Sequence, residues 1–408
     1  MTGERDDAVH ERFALGCMSG TSLDGLDVAL VRLTGRRHAL AAQVVRHAAT
    51  PFEDGLRGEL TALASDRPTP PSDIARLARE LGDLHADLCE STIEGLDSAV
   101  ASRIAFVAAH GQTITHHPTG VAGSGRGFTW QLLDPFPIAH RLGVRVCTDL
   151  RGADLVAGGE GAPITPAADP VLFPVDRAIV VNLGGVVNAT RWSRVVEPPS
   201  AEPSVTIEGA DIGPCNLLLD PLASALLHGA RYDAAGQVAS GGRARAELID
   251  AIDAAIDRGL TTSDGIAPSR PLSLGREQFG LRMIEHVMQV ASAMGATPPD
   301  VLASAVDAVA GRIARWCSAD GTADVILAGG GVRNRALIAR LTARMPGARV
   351  KTSSDYGVVP EAREAAAMAV LGAMSLDGLS ITVPSITGAT QPGPAGRWTL
   401  ARDTLCEP

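Results

Sequence analysis

Hydrophobic and polar positions switch between helix-like and strand-like patterns along the whole chain, which is typical of α/β architecture. Leucine and isoleucine recur at helical spacing over residues 72–96, which predicts an amphipathic helix with Ser72 as its N-cap. Two later helices are predicted over residues 300–317 and 360–376. The second begins with proline and glutamate, as helix N-termini do.

Short apolar runs between these helices predict buried strands. These runs are residues 103–109, 144–147, 178–181, 186–192 and 324–328. A glycine turn at 182–185 joins two of the strands, and a glycine triplet at 329–331 follows the last one and leads into a helix from about Asn334. A loop of small residues at 16–27 lies between two further apolar runs. Two hairpins of similar design predict a duplicated fold with a cleft between its halves.

The loop at 16–27 has the composition of a phosphate-binding turn. Its small residues are Ser19, Gly20, Thr21, Ser22 and Gly25. Their backbone N–H groups and hydroxyls can surround a polyphosphate with little side-chain bulk. Asp24 and Asp27 would repel phosphate unless Mg²⁺ lay between them. The alternative is a hairpin turn rich in Ser, Gly and Asp, and the loop alone favours neither interpretation.

Composition narrows the choice of partner. The chain has 408 residues, which favours two domains, and its formal charge of −10 argues against nucleic acid or an anionic membrane as the main partner. Lys351 is the sole lysine, so a lysine-based phosphate clamp of the Walker type is absent. The triplet at 329–331 also lacks the spacing of a Rossmann fingerprint.

Cysteine usage and the termini favour a cytoplasmic protein. The six cysteines are scattered without a CxxC pair, as expected for reduced thiols. Residues 1–12 carry charges of both signs and no apolar core, so no signal peptide is predicted. No apolar run is long enough to span a membrane.

A series of short motifs then follows one family order along nearly the whole chain. They are MSGTSLDG at 18–25, HGQTI at 110–114, DLRGAD at 149–154, GGEGAP at 158–163, NLGG at 182–185, DIGP at 211–214 with Asn216, GRE at 275–277 with Phe279, and GGG at 329–331 with Asn334. This series closely resembles the anhydro-N-acetylmuramic acid kinases of the actin, sugar-kinase and Hsp70-like ATPase superfamily. The resemblance implies a two-domain actin-like ATPase fold, a duplicated ribonuclease-H-like fold with an interdomain cleft. We expect an N-terminal domain at 13–145 plus 378–408 and a C-terminal domain at 146–377.

The resemblance also implies an activity. Enzymes of this family use ATP and water to open the 1,6-anhydro bridge of anhydro-N-acetylmuramic acid and to phosphorylate the freed O6. The product is N-acetylmuramic acid 6-phosphate, an intermediate of peptidoglycan recycling, and the family suggests a homodimer. A kinase for another 1,6-anhydrosugar such as levoglucosan, or a catalytically silent ATP-binding homologue, is the alternative.

The family motifs assign roles to individual residues. Asp211 matches the catalytic base, and the alternative for it is an Asx turn before Gly213. The nucleotide-binding set is Ser19, Gly20, Thr21, Ser22, Leu23, Asp24, Gly25, Asp27, Gly184, Gly185, Asn188, Gly329, Gly330 and Gly331, with Asp24 near Mg²⁺. The substrate-binding set is His110, Gln112, Asp149, Arg151, Asp154 and Glu364. A scaffold histidine at His110 and a structural Arg–Asp pair at Arg151 are the alternatives there.

Five positions depart from the family pattern. Cys215 and Leu133 stand where glycine is usual, Glu160 replaces glutamine, Leu274 replaces threonine, and Leu272 stands where lysine is common. A side chain at Cys215 raises the question of whether the backbone there needs a conformation that only glycine adopts easily. Because Asp24, Asp211 and the glycine turns are intact, we expect an active enzyme.

Overall fold

The computed structural model describes residues 11–20, 22–118, 125–195, 204–260, 281–318, 324–391 and 393–401. The strands are β1 Glu11–Ser19, β2 Gly25–Thr34, β3 Ala41–Pro51, β4 Ile104–His110, β5 Gln112–His117, β6 Phe128–Leu132, β7 Arg145–Thr148, β8 Arg177–Leu183, β9 Val186–Val195, β10 Ser204–Pro214, β11 Asp324–Ala328, β12 Arg349–Thr352 and β13 Arg397–Thr399.

The helices alternate with these strands. They are α1 Asp54–Ala64, α2 Pro71–Ile93, α3 Ser98–Ala101, α4 Phe136–Leu142, α5 Gly152–Val156, α6 Asp169–Leu172, α7 Asn216–Leu226, α8 Gln237–Gly241, α9 Ala246–Leu260, α10 Leu281–Ala293, α11 Pro298–Cys317, α12 Arg335–Arg344, α13 Arg363–Leu376 and α14 Pro384–Thr387. Short 3₁₀ turns span Arg37–Ala39, Thr165–Ala167, Ala234–Gly236, Gly330–Arg333, Ser353–Tyr356 and Pro360–Ala362. None of the helices in the described ranges is long and apolar enough to cross a membrane.

The chain forms two compact units. Unit 1 extends from the N-terminus to Pro174 and resumes at Ala362, and unit 2 comprises Val175–Val195 and Ser204–Glu361. The sheet of unit 1 has the order β13-β7-β4-β1-β2-β3. Strand β2 pairs antiparallel with both β1 and β3, whereas β4 pairs parallel with β1 and β7 pairs parallel with β4. Strand β13 pairs antiparallel with β7.

Alternate residues of β1 explain why this strand is apolar throughout. Cys17 faces α2, where its Sγ lies 3.5 Å from Sγ of Cys89. Gly16 faces α13, and a Cβ at Gly16 would lie 1.9 Å from the carbonyl oxygen of Ala365. A strand that is covered on both faces needs apolar or small residues at every position, which replaces the usual alternation.

The sheet of unit 2 repeats the arrangement. Its order is β10-β9-β8-β11-β12, with antiparallel pairing among β8, β9 and β10 and parallel pairing of β11 with both β8 and β12. If the strands of each sheet are numbered in chain order, both sheets have the order 3-2-1-4-5, and unit 1 adds β13 beside its fifth strand. The predicted duplicated α/β fold is confirmed by this shared topology.

The domain boundaries differ from the predicted ones. Strand β7 pairs with β4, and β13 adds to the outer edge of β7, so residues 145–148 and 397–399 belong to one sheet. Helix α13 packs on β1, β2 and β4. These pairings place residues 146–174 and 362–377 in unit 1, whereas the sequence analysis assigned them to the second domain.

Several element boundaries also move. The predicted loop at 16–27 shortens to residues 20–24 because β1 and β2 pair as far as Ser19 and Leu26. Helix α2 has Pro71 at its first position and Pro70 as its N-cap, so Ser72 does not cap it. Helix α12 follows the prediction more closely, since the Asn334 side chain accepts a hydrogen bond from Leu337 N at 3.0 Å as its N-cap.

Candidate active site

The β1–β2 turn is a tight loop with two exposed oxygen-bearing side chains. Leu23 N donates to Gly20 O at 3.3 Å, and Leu23 has the left-handed φ of +57°. Ser22 Oγ donates to Asp24 Oδ1 at 2.7 Å, and both residues are exposed. Thr21 lies outside the described residues. The turn can therefore offer a hydroxyl, a carboxylate and backbone groups to a ligand.

The residues flanking this turn are held by neighbouring strands. A Cβ at Gly25 would lie 2.4 Å from Thr50 O on β3, so the close approach of β3 accounts for this glycine. The Oδ1 atom of Asp27 lies 2.8 Å from Nε2 of His47 on β3. Ser19 is buried, and its hydroxyl has no hydrogen-bond partner in the described structure.

Gln112 braces the turn from β5. Its Nε2 donates to Gly20 O at 3.1 Å, and its Oε1 is buried with no hydrogen-bond partner among the described residues. A buried acceptor without a partner costs free energy, so such an atom points to a ligand that supplies the missing donor.

His110 and Arg151 form a buried pair. Arg151 Nε donates to His110 Nε2 at 2.7 Å, and Arg151 Nη1 donates to Gly161 O at 2.8 Å. Burial, and then the charge of Arg151, hold the pKa of His110 well below its usual value. The imidazole is therefore neutral and accepts from the guanidinium at Nε2, while its buried Nδ1 makes no well-formed hydrogen bond within the described residues.

Glu364 provides the opposite charge near Arg151. Burial lowers the pKa of Arg151 to about 10, and the charges of Glu364 and then Asp154 oppose that change. Glu364 is half-buried in the first turn of α13. The structure thus brings His110, Arg151 and Glu364 together within unit 1, as the sequence analysis grouped them.

The remaining predicted substrate residues have structural partners. Asp154 is buried, and its two oxygens accept from Gly161 N and Thr387 Oγ1, both at 2.7 Å. Asp149 Oδ1 accepts from Gly152 N at 3.1 Å, and its Oδ2 lies 2.9 Å from Arg397 Nε. These contacts account for both carboxylates as supports of the loops that surround Arg151.

His116 is a residue of this cluster that the sequence analysis missed. A Cβ at Gly161 would lie 3.1 Å from His116 Cε1, which places the imidazole beside the loop that Arg151 holds. Burial, and then the charge of Arg151, lower the pKa of His116 to about 4. Strand spacing does not reveal this residue, because a bulge between Thr113 and Thr115 interrupts the alternation of β5. His116 contacts Thr129 Oγ1 at 3.0 Å and so lies on the other face of the strand from Gln112.

In unit 2, the Gly184–Gly185 turn is tied to the start of α7. Gly185 O accepts from Cys215 N at 2.8 Å and from Leu217 N at 3.1 Å, and Gly184 O accepts from Asn216 N at 3.1 Å. These bonds satisfy the amide groups at this helix N-terminus, so the amides are not free to bind phosphate.

Asp211 lies on β10 at a β-bulge. It pairs with Asn188 of β9, after which the register shifts and Gly213 pairs with Val187. Asn188 Nδ2 donates to Asp211 Oδ1. The family motifs assigned Asp211 as the catalytic base and placed Asn188 in the nucleotide-binding set. The structure instead joins the two side chains directly.

The glycine triplet after β11 owes two of its members to packing. A Cβ at Gly329, where φ is +80°, would lie 2.5 Å from Asn182 Oδ1, and one at Gly331 would lie 2.6 Å from Leu183 Cβ. Gly330 is exposed, with nothing within 4 Å of such a Cβ. Only Gly330 therefore leaves open space at this turn.

Cys215 precedes helix α7 and has no positive φ. Its φ is −118°, outside the region that favours glycine, and its side chain is buried in the core of unit 2. Burial, and then the charge of Asp220, raise the pKa of its thiol to about 12. The concern that a side chain here needs a glycine-like backbone is wrong for this chain.

The other departures are less informative. Glu160 N donates to Thr387 O at 2.9 Å, a backbone contact that any residue can make. Leu133 contributes to the packing around Gly111, where a Cβ would meet Leu133 Cβ at 2.8 Å. Leu272 and Leu274 lie outside the described residues.

The repeated strand order, with a turn of small residues between the first two strands of each unit, defines the class of the protein as an actin-like ATPase fold. The family model for anhydro-N-acetylmuramic acid kinase matches residues 12–399. The chain belongs to the anhydro-N-acetylmuramic acid kinase family.

Individual relatives agree with the family match. The anhydro-N-acetylmuramic acid kinase of Xanthomonas axonopodis pv. citri (strain 306) is 37% identical over 385 residues, covering 93% of this chain and 95% of that protein. The Salinibacter ruber (strain DSM 13855 / M31) protein of the same name is 33% identical over 394 residues, covering 94% and 95%. Among solved structures, component A of the Acidaminococcus fermentans (R)-2-hydroxyglutaryl-CoA dehydratase has a TM-score of 0.40 at 15% identity, covering 89% of this chain and 99% of that chain. That likeness is too weak to bear on function.

Proposed function

We propose that this protein is an ATP-dependent kinase that opens 1,6-anhydro-N-acetylmuramic acid with water and phosphorylates O6, giving N-acetylmuramic acid 6-phosphate for peptidoglycan recycling. The family match over residues 12–399, with Asp211 and Asp24 present in their motifs, carries this proposal. The relatives bear the name of this activity, and neither alternative has comparable support.

Asp211 is the general base in this proposal. It takes one proton from water as the water oxygen bonds to C1 of the sugar, while the C1–O6 bond breaks and O6 receives the γ-phosphoryl group of ATP. This follows the logic of an inverting glycosidase, with phosphoryl transfer replacing protonation of the leaving oxygen. The hydrogen bond from Asn188 holds one oxygen of this carboxylate, and the carboxylate accepts the proton of the water.

The β1–β2 turn is the proposed phosphate and metal site. Mg²⁺ is usually held by one or two carboxylates together with water and substrate phosphates, and a single exposed Asp24 beside Ser22 fits that pattern. The described residues contain no cluster of three or more potential metal ligands, so Asp24 would act with ATP rather than in a protein cage. When bound, the ion would neutralise phosphate charge. Gly184, Gly185 and the open Gly330 are the proposed contributions of unit 2 to nucleotide binding.

The proposed sugar site in unit 1 consists of buried polar groups around Arg151. His110 offers a ring nitrogen and Gln112 offers a carbonyl oxygen. Glu364 supplies negative charge near Arg151. A sugar has hydroxyls that both donate and accept, so it can satisfy this mixture of groups better than an apolar ligand can.

A coupled ATPase assay with anhydro-N-acetylmuramic acid, followed by mass analysis of the product, tests the proposal. We expect ADP release that depends on the sugar, and a product that has gained one water and one phosphoryl group. Turnover of levoglucosan without turnover of the muramic sugar would favour the other anhydrosugar. ATP binding without consumption would favour the silent homologue.

Asp211→Asn tests the base. We expect a loss of at least about 10²-fold in kcat, because the amide cannot accept the proton. Glu208→Gln is the matched control, since Glu208 lies on the same strand with an exposed side chain. Wild-type kcat in Asp211→Asn would remove Asp211 from the chemistry.

Cellular context completes the proposal. We propose a cytoplasmic homodimer, for which the family resemblance supports the dimer and the scattered cysteines of the sequence support the compartment. Light scattering on the purified protein measures the mass directly, and a monomeric mass would exclude the dimer.

A further inference from the structure

We propose that Asn188 is a positioning residue for Asp211 and not a ligand of the nucleotide phosphates. This inference rests on the proposed function, because it needs Asp211 to be the base. It differs from the sequence analysis, which placed Asn188 with the glycine turn at the nucleotide.

The first observation is the register of β9 and β10. Asn188 and Asp211 are direct partners in this antiparallel pair, so their side chains project from the same face at adjacent positions. The Asn188 amide donates from Nδ2 to Asp211 Oδ1. One N–H of this amide is therefore engaged with the carboxylate of the proposed base.

The second observation is the β-bulge that follows Asp211. The register shifts between Asp211 and Gly213, and Gly213 has a φ of +150°. A bulge interrupts the ladder and bends the strand, so the backbone on this side of Asp211 is less regularly supported. A side-chain hydrogen bond from the partner strand compensates by fixing the carboxylate.

The third observation is the position of Asn188 between Asp211 and a second asparagine. Asn182 of β8 pairs with Asn188 on the side away from Asp211. The Oδ1 atom of Asn182 occupies the space that a Cβ at Gly329 would need, at 2.5 Å. Asn188 thus has a register partner on each side within the sheet, Asn182 and Asp211, and its side-chain hydrogen bond goes to Asp211.

The hydrogen bond has a chemical consequence. An amide N–H cannot be lost at physiological pH, and it stabilises the ionised form of the carboxylate that accepts from it. It also fixes the orientation of the other carboxylate oxygen. Removing the donor should therefore slow catalysis and move the onset of activity to higher pH.

The test compares two variants of similar size. We expect Asn188→Leu to lower kcat by about 10- to 100-fold and to leave the KM for ATP within about twofold. The acid limb of the kcat–pH profile should move upward by about one unit, because the lost hydrogen bond favoured the ionised form of the carboxylate. Asn188→Asp should move the limb further, because two carboxylates would then share one position.

A double variant separates this inference from the proposed function. In the Asp211→Asn background, Asn188→Leu should cost less than about twofold more in kcat, because residues that act as one unit are not additive. Wild-type kcat in Asp211→Asn overturns the base assignment and the positioning role together. A dead Asp211→Asn combined with a normal Asn188→Leu overturns the positioning role alone.

Two further outcomes decide between positioning and phosphate binding. A raised KM for ATP with an unchanged pH profile in Asn188→Leu would assign Asn188 to the nucleotide and overturn the proposal. Circular dichroism and thermal melting check the fold of each variant. If Asn188→Leu does not fold, Asn188→Asp carries the test, and an unshifted acid limb in that variant likewise overturns the proposal.

Discussion

Cys215 shows how a departure from a family pattern can be harmless at the scale of one residue. Its backbone amide donates to Gly185 O at 2.8 Å, which any residue could do, and its thiol fills a buried space in the core of unit 2. The side chain therefore contributes packing where relatives with glycine have none.

Replacing this residue by glycine tests that interpretation. We expect Cys215→Gly to keep kcat within about twofold and to lower the free energy of unfolding by about 1–3 kcal/mol, through lost burial and added chain entropy. Steady-state kinetics and urea unfolding measure the two effects. Cys215→Ala is the control that keeps the backbone entropy while shortening the side chain. A tenfold rise in kcat in Cys215→Gly would mean that the cysteine impairs the catalytic loop.

Other residue-scale expectations depended on contacts that no sequence displays. The motifs grouped His110, Arg151 and Glu364, which lie together in unit 1. They also included Asp154, whose two carboxylate oxygens accept from Gly161 and Thr387. A buried carboxylate that supports a loop and one that faces a ligand look alike in a sequence. Only the identity of their hydrogen-bond donors distinguishes them.

At the scale of elements, the pattern predicted helices α2, α11 and α13, but it predicted neither strand β3 nor helices α9 and α10, and it made the first loop too long. Residues 16–19 and 25–27 contain several small residues and so resemble a loop, yet they are strand. Their glycines serve the close approach of other backbones, from α13 at Gly16 and from β3 at Gly25. Such contacts come from segments far away in the chain, so local pattern cannot reveal them.

The glycine in the middle of β1 provides a sharp test. A Cβ at Gly16 would lie 1.9 Å from Ala365 O and 2.6 Å from Ala369 N, and both atoms are helix backbone that cannot rotate away. We expect Gly16→Ala to lower the free energy of unfolding by about 3 kcal/mol, at the upper end of what overpacking costs. Urea unfolding followed by circular dichroism measures it.

The matched control is Gly58→Ala in α1. Nothing lies within 4 Å of a Cβ at Gly58, so alanine should stabilise the helix by about 0.5–1 kcal/mol. Equal stability of the Gly16→Ala variant and the wild-type protein would mean that α13 does not approach β1 as described.

At the scale of the whole molecule, the duplication was predictable but the division of the chain was not. Glycine-containing turns in the sequence predicted both hairpins. Nothing in residues 362–376 indicates which sheet α13 covers. The chain leaves unit 1 after Pro174 and returns to it at Ala362, so unit 2 is nearly an insertion within unit 1. Packing in the folded chain decides which unit a segment belongs to, so the local sequence of the segment does not show it.

Unit 1 contains three buried or partly buried histidines whose neutral form is favoured by burial, namely His85, His110 and His116. Burial lowers the pKa of His85 and of His116 to about 4, and it holds the pKa of His110 well below its usual value. Each of these groups binds its proton more readily in the unfolded chain, where the pKa is about 6.5. Their contribution to stability is therefore complete above pH 6.5 and is lost as the pH falls toward 4.

This linkage predicts acid sensitivity that one residue can relieve. At pH 5, a histidine with these two pKa values should cost about 2 kcal/mol of unfolding free energy relative to pH 7. His85→Leu should remove that share of the pH dependence, because His85 is fully buried in α2 and its only hydrogen bond in the described structure goes from Nδ1 to Leu81 O at 2.7 Å. Urea unfolding at pH 7 and pH 5 measures the difference.

His140→Leu, at an exposed position, should keep the wild-type pH dependence. If His85→Leu loses as much stability on acidification as the wild-type protein does, His85 is not the neutral core histidine described, and the sensitivity must come from the cluster around Arg151.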